Sequence, residues 1–176
     1  MYKFLILACA TLLFVSCKSP EARRPESISS GSFIQESVER NKELYAKEQM
    51  SIESIMKQNS EHEYMASQSG FWYFYNTKLA DSIASPHFGD IVNFNYNVKS
   101  LNGALIYSKA DLKTQNYAMD KQEIFTGLRE GLKLMKIGET VKFIIPSFNA
   151  YNVVGDENKI GVNTSIISTV TLINIK

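Results

Sequence analysis

The sequence predicts an α+β fold: an antiparallel β-sheet wrapped around one short α-helix, preceded by an N-terminal helix. Three observations carry this. Residues 32–66 run without Pro or Gly and place Ile34, Val38, Tyr45, Ile52 and Met56 near one helical face. Ile91–Lys99 alternates strictly, with Val92, Phe94, Tyr96 and Val98 on one side and Asn93, Asn95, Asn97 and Lys99 on the other. Phe125, Leu128, Leu132 and Met135 then recur at helical spacing between strand-like segments.

The first 16 residues carry one basic residue, Lys3, ahead of the apolar run FLILACATLLFV. A bilayer-spanning helix needs about 20 apolar residues, so this run reads as the core of an export signal. It stops at LFVSC, and small residues before Cys17 resemble a bacterial lipobox, which makes Cys17 the expected lipid-attachment residue. Cleavage there would discard Cys9 and leave no second thiol for a disulfide. Loss of Lys3 would leave 18 basic and 18 acidic residues. A balanced chain lacks the basic excess that nucleic-acid binding requires. Residues 17–31 (KSPEARRPESISSG after the cysteine) hold too little apolar surface to fold and read as a lipid-anchored tether.

Residues 32–66 form the predicted helical region. Its apolar stripe is narrow and keeps no heptad, which leaves two readings open: a solvated helix resting on the following domain, or a weak dimer through the helix. Residues 67–176 carry the sheet. Phe71–Asn76 is aromatic and β-prone, and Asp81–Gly89 is a turn region. After Ile91–Lys99, Asn102-Gly103 signals a hairpin turn into Leu105–Tyr107. The helix at Phe125–Met135 stops before Gly138. Thr140–Ile145 is a strand closed by Pro146, with Val141, Phe143 and Ile145 on one face. Thr164–Lys176 is the last strand.

The inventory of reactive groups is thin. The two histidines, His62 and His87, adjoin no nucleophile or ligand motif and read as exposed loop or helix-end residues. Gly155–Gly161 (GDENKIG) lacks the alternating oxygen ligands of a calcium loop, and no glycine-rich phosphate loop occurs. Metal-assisted hydrolysis and nucleotide chemistry are therefore not expected.

Residues 67–176 resemble the FK506-binding-protein family of peptidyl-prolyl cis–trans isomerases. The motifs occur in family order: Ser69-Gly70 before the aromatic strand Phe71-Trp72-Tyr73, then Gly89-Asp90, Tyr96 and Asn102-Gly103. The family pattern F-x-L-G-x-x-x-V-I-x-G-W-x-E-G-L is met by Tyr117, Met119, Asp120, Ile124, Phe125, Gly127, Leu128, Glu130, Gly131 and Leu132. Gly138-Glu139, Ile145-Pro146, Ala150-Tyr151, Gly155, Ile160 and Asn163-Thr164 follow. The resemblance implies a bent sheet on a short helix, a prolyl isomerase acting on Pro-containing polypeptides, and no cofactor or metal.

It also implies the site. Tyr151 would donate its hydroxyl to the substrate carbonyl, the backbone N–H of Phe125 would make a second contact, and Tyr96 completes the catalytic group. Ile106, Tyr107, Tyr117, Ile124, Leu128, Ile160 and Ser168 would line the pocket. Four positions depart from the pattern. Ile106-Tyr107 stands for the Phe-Asp pair, Leu128 for the tryptophan floor, Ser168 for a phenylalanine, and Ile160-Gly161-Val162 for Ile-Pro-Pro. These departures imply weakened activity and poor binding of macrolide inhibitors, and keep a second reading open: a module that binds or scaffolds a Pro-containing envelope protein without turning it over. Lipobox, tether, helix and divergent domain together resemble the gliding-motility-associated lipoprotein isomerases. That implies lipid anchoring in the bacterial cell envelope, on the periplasmic side, in service of motility or secretion components.

Overall fold

The computed structural model describes residues 30–79 and 84–176. The export signal, Cys17, most of the tether and part of the 81–89 turn region lie outside them. The described residues fall into two units, the first ending at Val38 and the second running from Glu39 to Lys176. Helix α1 spans Ser30–Gln58. In the first unit its described residues Phe33, Ile34 and Val38 are exposed. Among the described residues no helix is long and apolar enough to cross a membrane.

The second unit is built on seven antiparallel strands: β1 (Met65–Ala66), β2 (Trp72–Thr77), β3 (Ile91–Ser100), β4 (Leu105–Tyr107), β5 (Gln115–Ala118), β6 (Thr140–Ile145) and β7 (Ile166–Ile175). They lie in the order β1-β2-β6-β7-β3-β4, and β5 pairs with the first half of β3. A short helix α2 (Lys109–Leu112), the helix α3 (Thr126–Lys133) and a 3-10 turn (Ser147–Asn149) complete the chain.

Strand alternation gives the sheet two apolar faces. On the inner face Tyr73, Phe143, Ser168 and Val98 are successive cross-strand neighbours, and so are Val141, Val170 and Tyr96. Leu128, Leu132 and Met135 close this core and are fully buried. On the outer face Trp72, Ile144 and Ile167 form a stripe across β2, β6 and β7. Ile52 of α1 is fully buried in a second cluster with Ile144 and Ile167, flanked by Ile55 and Met56. The C-terminal half of the helix thus rests on the following domain, as the first of the two readings has it, and does so through a fully buried residue.

The helix also ends sooner than its lack of Pro and Gly suggests. It stops at Gln58, and Met65–Ala66 already pairs with Trp72 and Tyr73 as the sheet's edge. His62, expected in solvent, stacks on Phe74 with ring centroids 4.0 Å apart. The β3–β4 turn follows expectation: Gly103 has φ +86°, and Asn102 Oδ1 accepts from Ser100 Oγ and from the Ala104 N–H.

Two polar side chains hold the ends of the core. Glu139 is buried, and its carboxylate accepts the backbone N–H groups of Leu79 and Lys136, each at 2.9 Å. Asn149 is buried and donates to the carbonyls of Ser69 and Gly70. Buried groups satisfied in this way avoid a desolvation cost of about 1–3 kcal/mol each.

Helix α3 touches the sheet through glycines. A Cβ on Gly127 would lie 2.5 Å from Ile145 Cγ2, and one on Gly131 would lie 2.8 Å from the Phe143 ring. Overpacking of this kind costs about 1–3 kcal/mol. Gly127→Ala is expected to lower the urea-unfolding free energy by that amount. An unchanged or raised value would show that the helix does not depend on this close approach.

Candidate functional site

Three segments meet at the N-terminal end of α3. Phe125 is the N-cap residue, with φ −60° and ψ 141° and no side-chain cap hydrogen bond. The first N–H groups of a helix have no partner inside it, so this end has donors to offer an incoming carbonyl. Tyr151 follows the 3-10 turn after β6, and its ring centroid is 5.2 Å from that of Phe125. Tyr96 rises from the inner face of β3, 6.5 Å from Phe125. The three predicted catalytic residues thus form one aromatic cluster.

Neither the Tyr151 nor the Tyr96 hydroxyl makes a hydrogen bond with another described residue. Burial raises the Tyr151 pKa well above the ordinary tyrosine range, helped by Tyr96, Asp156 and Tyr107. Burial, then Tyr107, raises Tyr96 as well. Both phenols therefore stay protonated and can donate. A groove of about 660 Å³ opens beside Tyr151, lined by Ile124, Phe125 and Ala150 together with the charged Asp120, Lys121, Glu123 and Arg129, while Tyr96 stays in the core and does not line it. Small-molecule and peptide sites commonly fall within about 300–1,000 Å³. Two other grooves, of about 630 and 740 Å³, run between α1 and the β3–β4 turn and hold no comparable meeting of aromatic rings.

The remaining predicted pocket residues divide into two groups. Ile106, Tyr107 and Ile124 are half-buried and pack on the core beside the aromatic cluster. Tyr117 and Ile160 are almost wholly buried, and the Tyr117 hydroxyl donates to the Gln122 carbonyl at 3.1 Å. Leu128 and Ser168 are fully buried. Ser168 Oγ donates to the Asn97 carbonyl at 2.8 Å, so its hydroxyl is engaged across the sheet rather than turned toward a substrate. Leu128 and Ser168 support the site from beneath.

The structure adds a residue that pattern reading missed. Tyr107, which replaces the family aspartate, donates its hydroxyl to the carboxylate of Asp156. The other Asp156 oxygen accepts the N–H groups of Ile160 at 2.7 Å and Asn158 at 3.0 Å. A carboxylate thus returns from the 155–161 loop and fastens Ile160 to Tyr107, two of the expected pocket residues, neither of which lines the groove. Gly155 closes the base of that loop with φ +75°, and a Cβ there would meet the Ile160 carbonyl at 2.5 Å. The Asp-Glu-Asn run after Gly155 carried an Asx-turn signal. Its partner, 49 positions earlier, had none.

Residues 84–173 match the family model for FKBP-type peptidyl-prolyl cis-trans isomerase. The chain belongs to this family. Over 124 residues it is 27% identical to a protein described as a "probable FKBP-type peptidyl-prolyl cis-trans isomerase FkpA" of Neisseria meningitidis, covering 70% of this chain and 44% of that relative. The crystal structure of FkpA from Escherichia coli matches with a TM-score of 0.62 at 22% identity, over 100% of this chain and 82% of that one. A peptidyl-prolyl cis-trans isomerase from Pseudomonas syringae pv. tomato matches with a TM-score of 0.61 at 18% identity, over 77% and 95%. The two structures share the FKBP-type fold of a bent antiparallel sheet on a short helix.

The Tyr107–Asp156 clasp has a pH signature. Burial would raise the Asp156 pKa, but the hydrogen bonds from Tyr107, Ile160 and Asn158 outweigh it and hold the group below its usual value. A depressed folded pKa stabilises the loop above the unfolded carboxylate value of about 4 and ceases to do so as pH falls through the folded value. The Ile160 amide is expected to stay protected from hydrogen exchange at neutral pH and to lose protection only as pH falls below the ordinary carboxylate value of about 4 and through the depressed folded one. In Asp156→Ala the protection is expected to be absent at every pH. Equal protection in both proteins would contradict the clasp.

Proposed function

We propose that this chain catalyses cis–trans isomerisation of X-Pro bonds in polypeptides. The observation that carries the reading is the cluster at an uncapped helix end of Phe125, Tyr151 at the groove and Tyr96 in the core next to it, two protonated phenols whose hydroxyls have no hydrogen-bond partner among the described residues. No bond to proline is broken in this reaction, so no nucleophile is needed. Amide resonance sets a barrier of about 18–20 kcal/mol. For X-Pro both isomers are accessible but exchange takes tens to hundreds of seconds. Twisting the bond removes resonance and lowers the polarity of the amide. Aromatic walls therefore favour the twisted form over either planar one. The Tyr151 hydroxyl and the Phe125 N–H are the donors assigned to the substrate carbonyls, and Tyr96 supports the Phe125 ring from the core. A thousandfold acceleration requires only about 4 kcal/mol of such preference.

Full burial of Leu128 and Ser168 favours a second reading. Where the family pattern has aromatic rings, these positions offer little aromatic surface to a proline. A module that binds Pro-containing segments and turns them over slowly, or not at all, would keep the same hollow. The two readings separate in a proline-limited refolding assay. The purified chain is expected to accelerate the slow phase, with Tyr151→Phe and Phe125→Ala each reducing the effect about tenfold or more. A slow phase equal to the uncatalysed one, with substrate still bound, would leave only the binding module.

The leader and Cys17 support a cellular setting for this chemistry. We infer a lipoprotein held in the bacterial cell envelope on the periplasmic side, acting on Pro-containing clients among motility or secretion components. The lipobox-like segment and the likeness to gliding-motility lipoprotein isomerases support this placing. The exposed Phe33, Ile34 and Val38 support a weak dimer through α1. Mass spectrometry of the protein purified from its own membranes is expected to find Cys17 as an acylated N-terminus. An intact, unmodified leader would contradict the anchor.

A further inference from the structure

We propose that Glu48 of α1 is a positioning residue for Tyr151, so that the N-terminal helix is a working part of the isomerase site. The inference rests on Tyr151 acting as read above. Glu48 lies one turn before Ile52, on the helix face docked against the sheet, and its carboxylate reaches the 3-10 turn. It accepts the Ser147 hydroxyl at 2.5 Å and the Ser147 N–H at 3.1 Å. Ser147 is fully buried, so these two donors depend on an internal acceptor. One turn earlier on α1, Tyr45 meets Phe148 edge-on at 5.4 Å.

The anchored residue is itself the anchor of the Tyr151 segment. The Ser147 carbonyl accepts the N–H of Ala150 at 3.0 Å and the N–H of Asn152 at 2.8 Å, the residues on either side of Tyr151. No regular element holds this stretch. Ala150 has φ −101° and ψ −115°, and Asn152 has φ +51°. Backbone in such sparsely populated regions keeps its shape only when its surroundings determine it. Here the surroundings are Ser147 and, through it, Glu48 on one side, and on the other the N–H groups of Gly155 and Asn163, which donate to the Tyr151 and Asn152 carbonyls at 3.0 and 2.7 Å. A side chain on α1 thereby sets where the Tyr151 ring stands against Phe125.

A merely structural role would tie the helix to the sheet without acting through Tyr151, and a double-mutant cycle in the purified full chain separates the two. Glu48→Ala is expected to lower kcat on a prolyl peptide about tenfold while KM changes less than about twofold, because misplacement of a group acts on the twisted state. Glu48→Gln keeps one acceptor oxygen and is expected to recover most of the rate. In a Tyr151→Phe background, Glu48→Ala is expected to cause no further loss. A kcat for Glu48→Ala within about twofold of the parent, or losses that multiply independently with Tyr151→Phe, would overturn the proposal. If Tyr151→Phe is itself silent, the reading of Tyr151 falls and this proposal with it. That outcome is distinct from a silent Glu48→Ala alone.

Discussion

The close approach of α3 to β6 is the constraint on which the rest depends. Gly127 and Gly131 are four residues apart and share a helix face, separated by about 6 Å along the axis. They meet Ile145 and Phe143, two residues apart on one face of a strand and about 6.7 Å apart. The two spacings agree only because the glycines have no side chains and the helix can sit directly on the strand. The pairing also sets direction. Gly127 lies by the end of β6, with the Asn149 carbonyl 3.2 Å from where its Cβ would be. The N-terminus of α3 therefore stands where β6 gives way to the Tyr151 segment. Phe125 and Tyr151 come together as a consequence of helix packing.

From that placement the chemistry follows with few parts. Helix packing supplies an aromatic residue at an uncapped helix end. The inner face of β3 supplies Tyr96 beside it. The 155–161 loop, drawn in by Asp156, supplies Ile160. On the proposed reading each piece contributes shape or a hydrogen-bond donor, and none needs to be reactive. A site of this kind tolerates replacement of single walls, because its effect is spread over several contacts of about 0.5–1.5 kcal/mol each. That tolerance accounts for the survival of the hollow although the aspartate, tryptophan and phenylalanine positions have changed.

Much of this was legible in the sequence, for identifiable reasons. The alternation of β3, the turn at Asn102-Gly103 and the helical recurrence at Phe125 and Leu128 are local patterns, and the structure has them where expected. Strand β5 was missed because Gln115-Asn116-Tyr117-Ala118 shows no β-prone run; it is a strand through its pairing with Ile91–Phe94. The capping box of Ser108 and Asp111 that starts α2 is a local signal that was overlooked. Ile52 and Met56 were legible as an apolar face of α1, but the surface they dock on was not, because the outer stripe of Trp72, Ile144 and Ile167 is assembled from three distant strands. The Tyr107–Asp156 and Glu48–Ser147 contacts join residues 49 and 99 positions apart. Patterns within one element cannot reveal pairs of that kind.

The central claim is that the groove beside Phe125 and Tyr151 holds a prolyl bond better in its twisted form than in either planar one. Two-dimensional exchange NMR on a short Ala-Pro-containing peptide, with the protein at a small fraction of the peptide concentration, addresses this directly. The account predicts cross-peaks linking the cis and trans resonances that are absent without protein, and their strong weakening in Tyr151→Phe. Peptide resonances that shift on binding while cis and trans signals remain unconnected would contradict it.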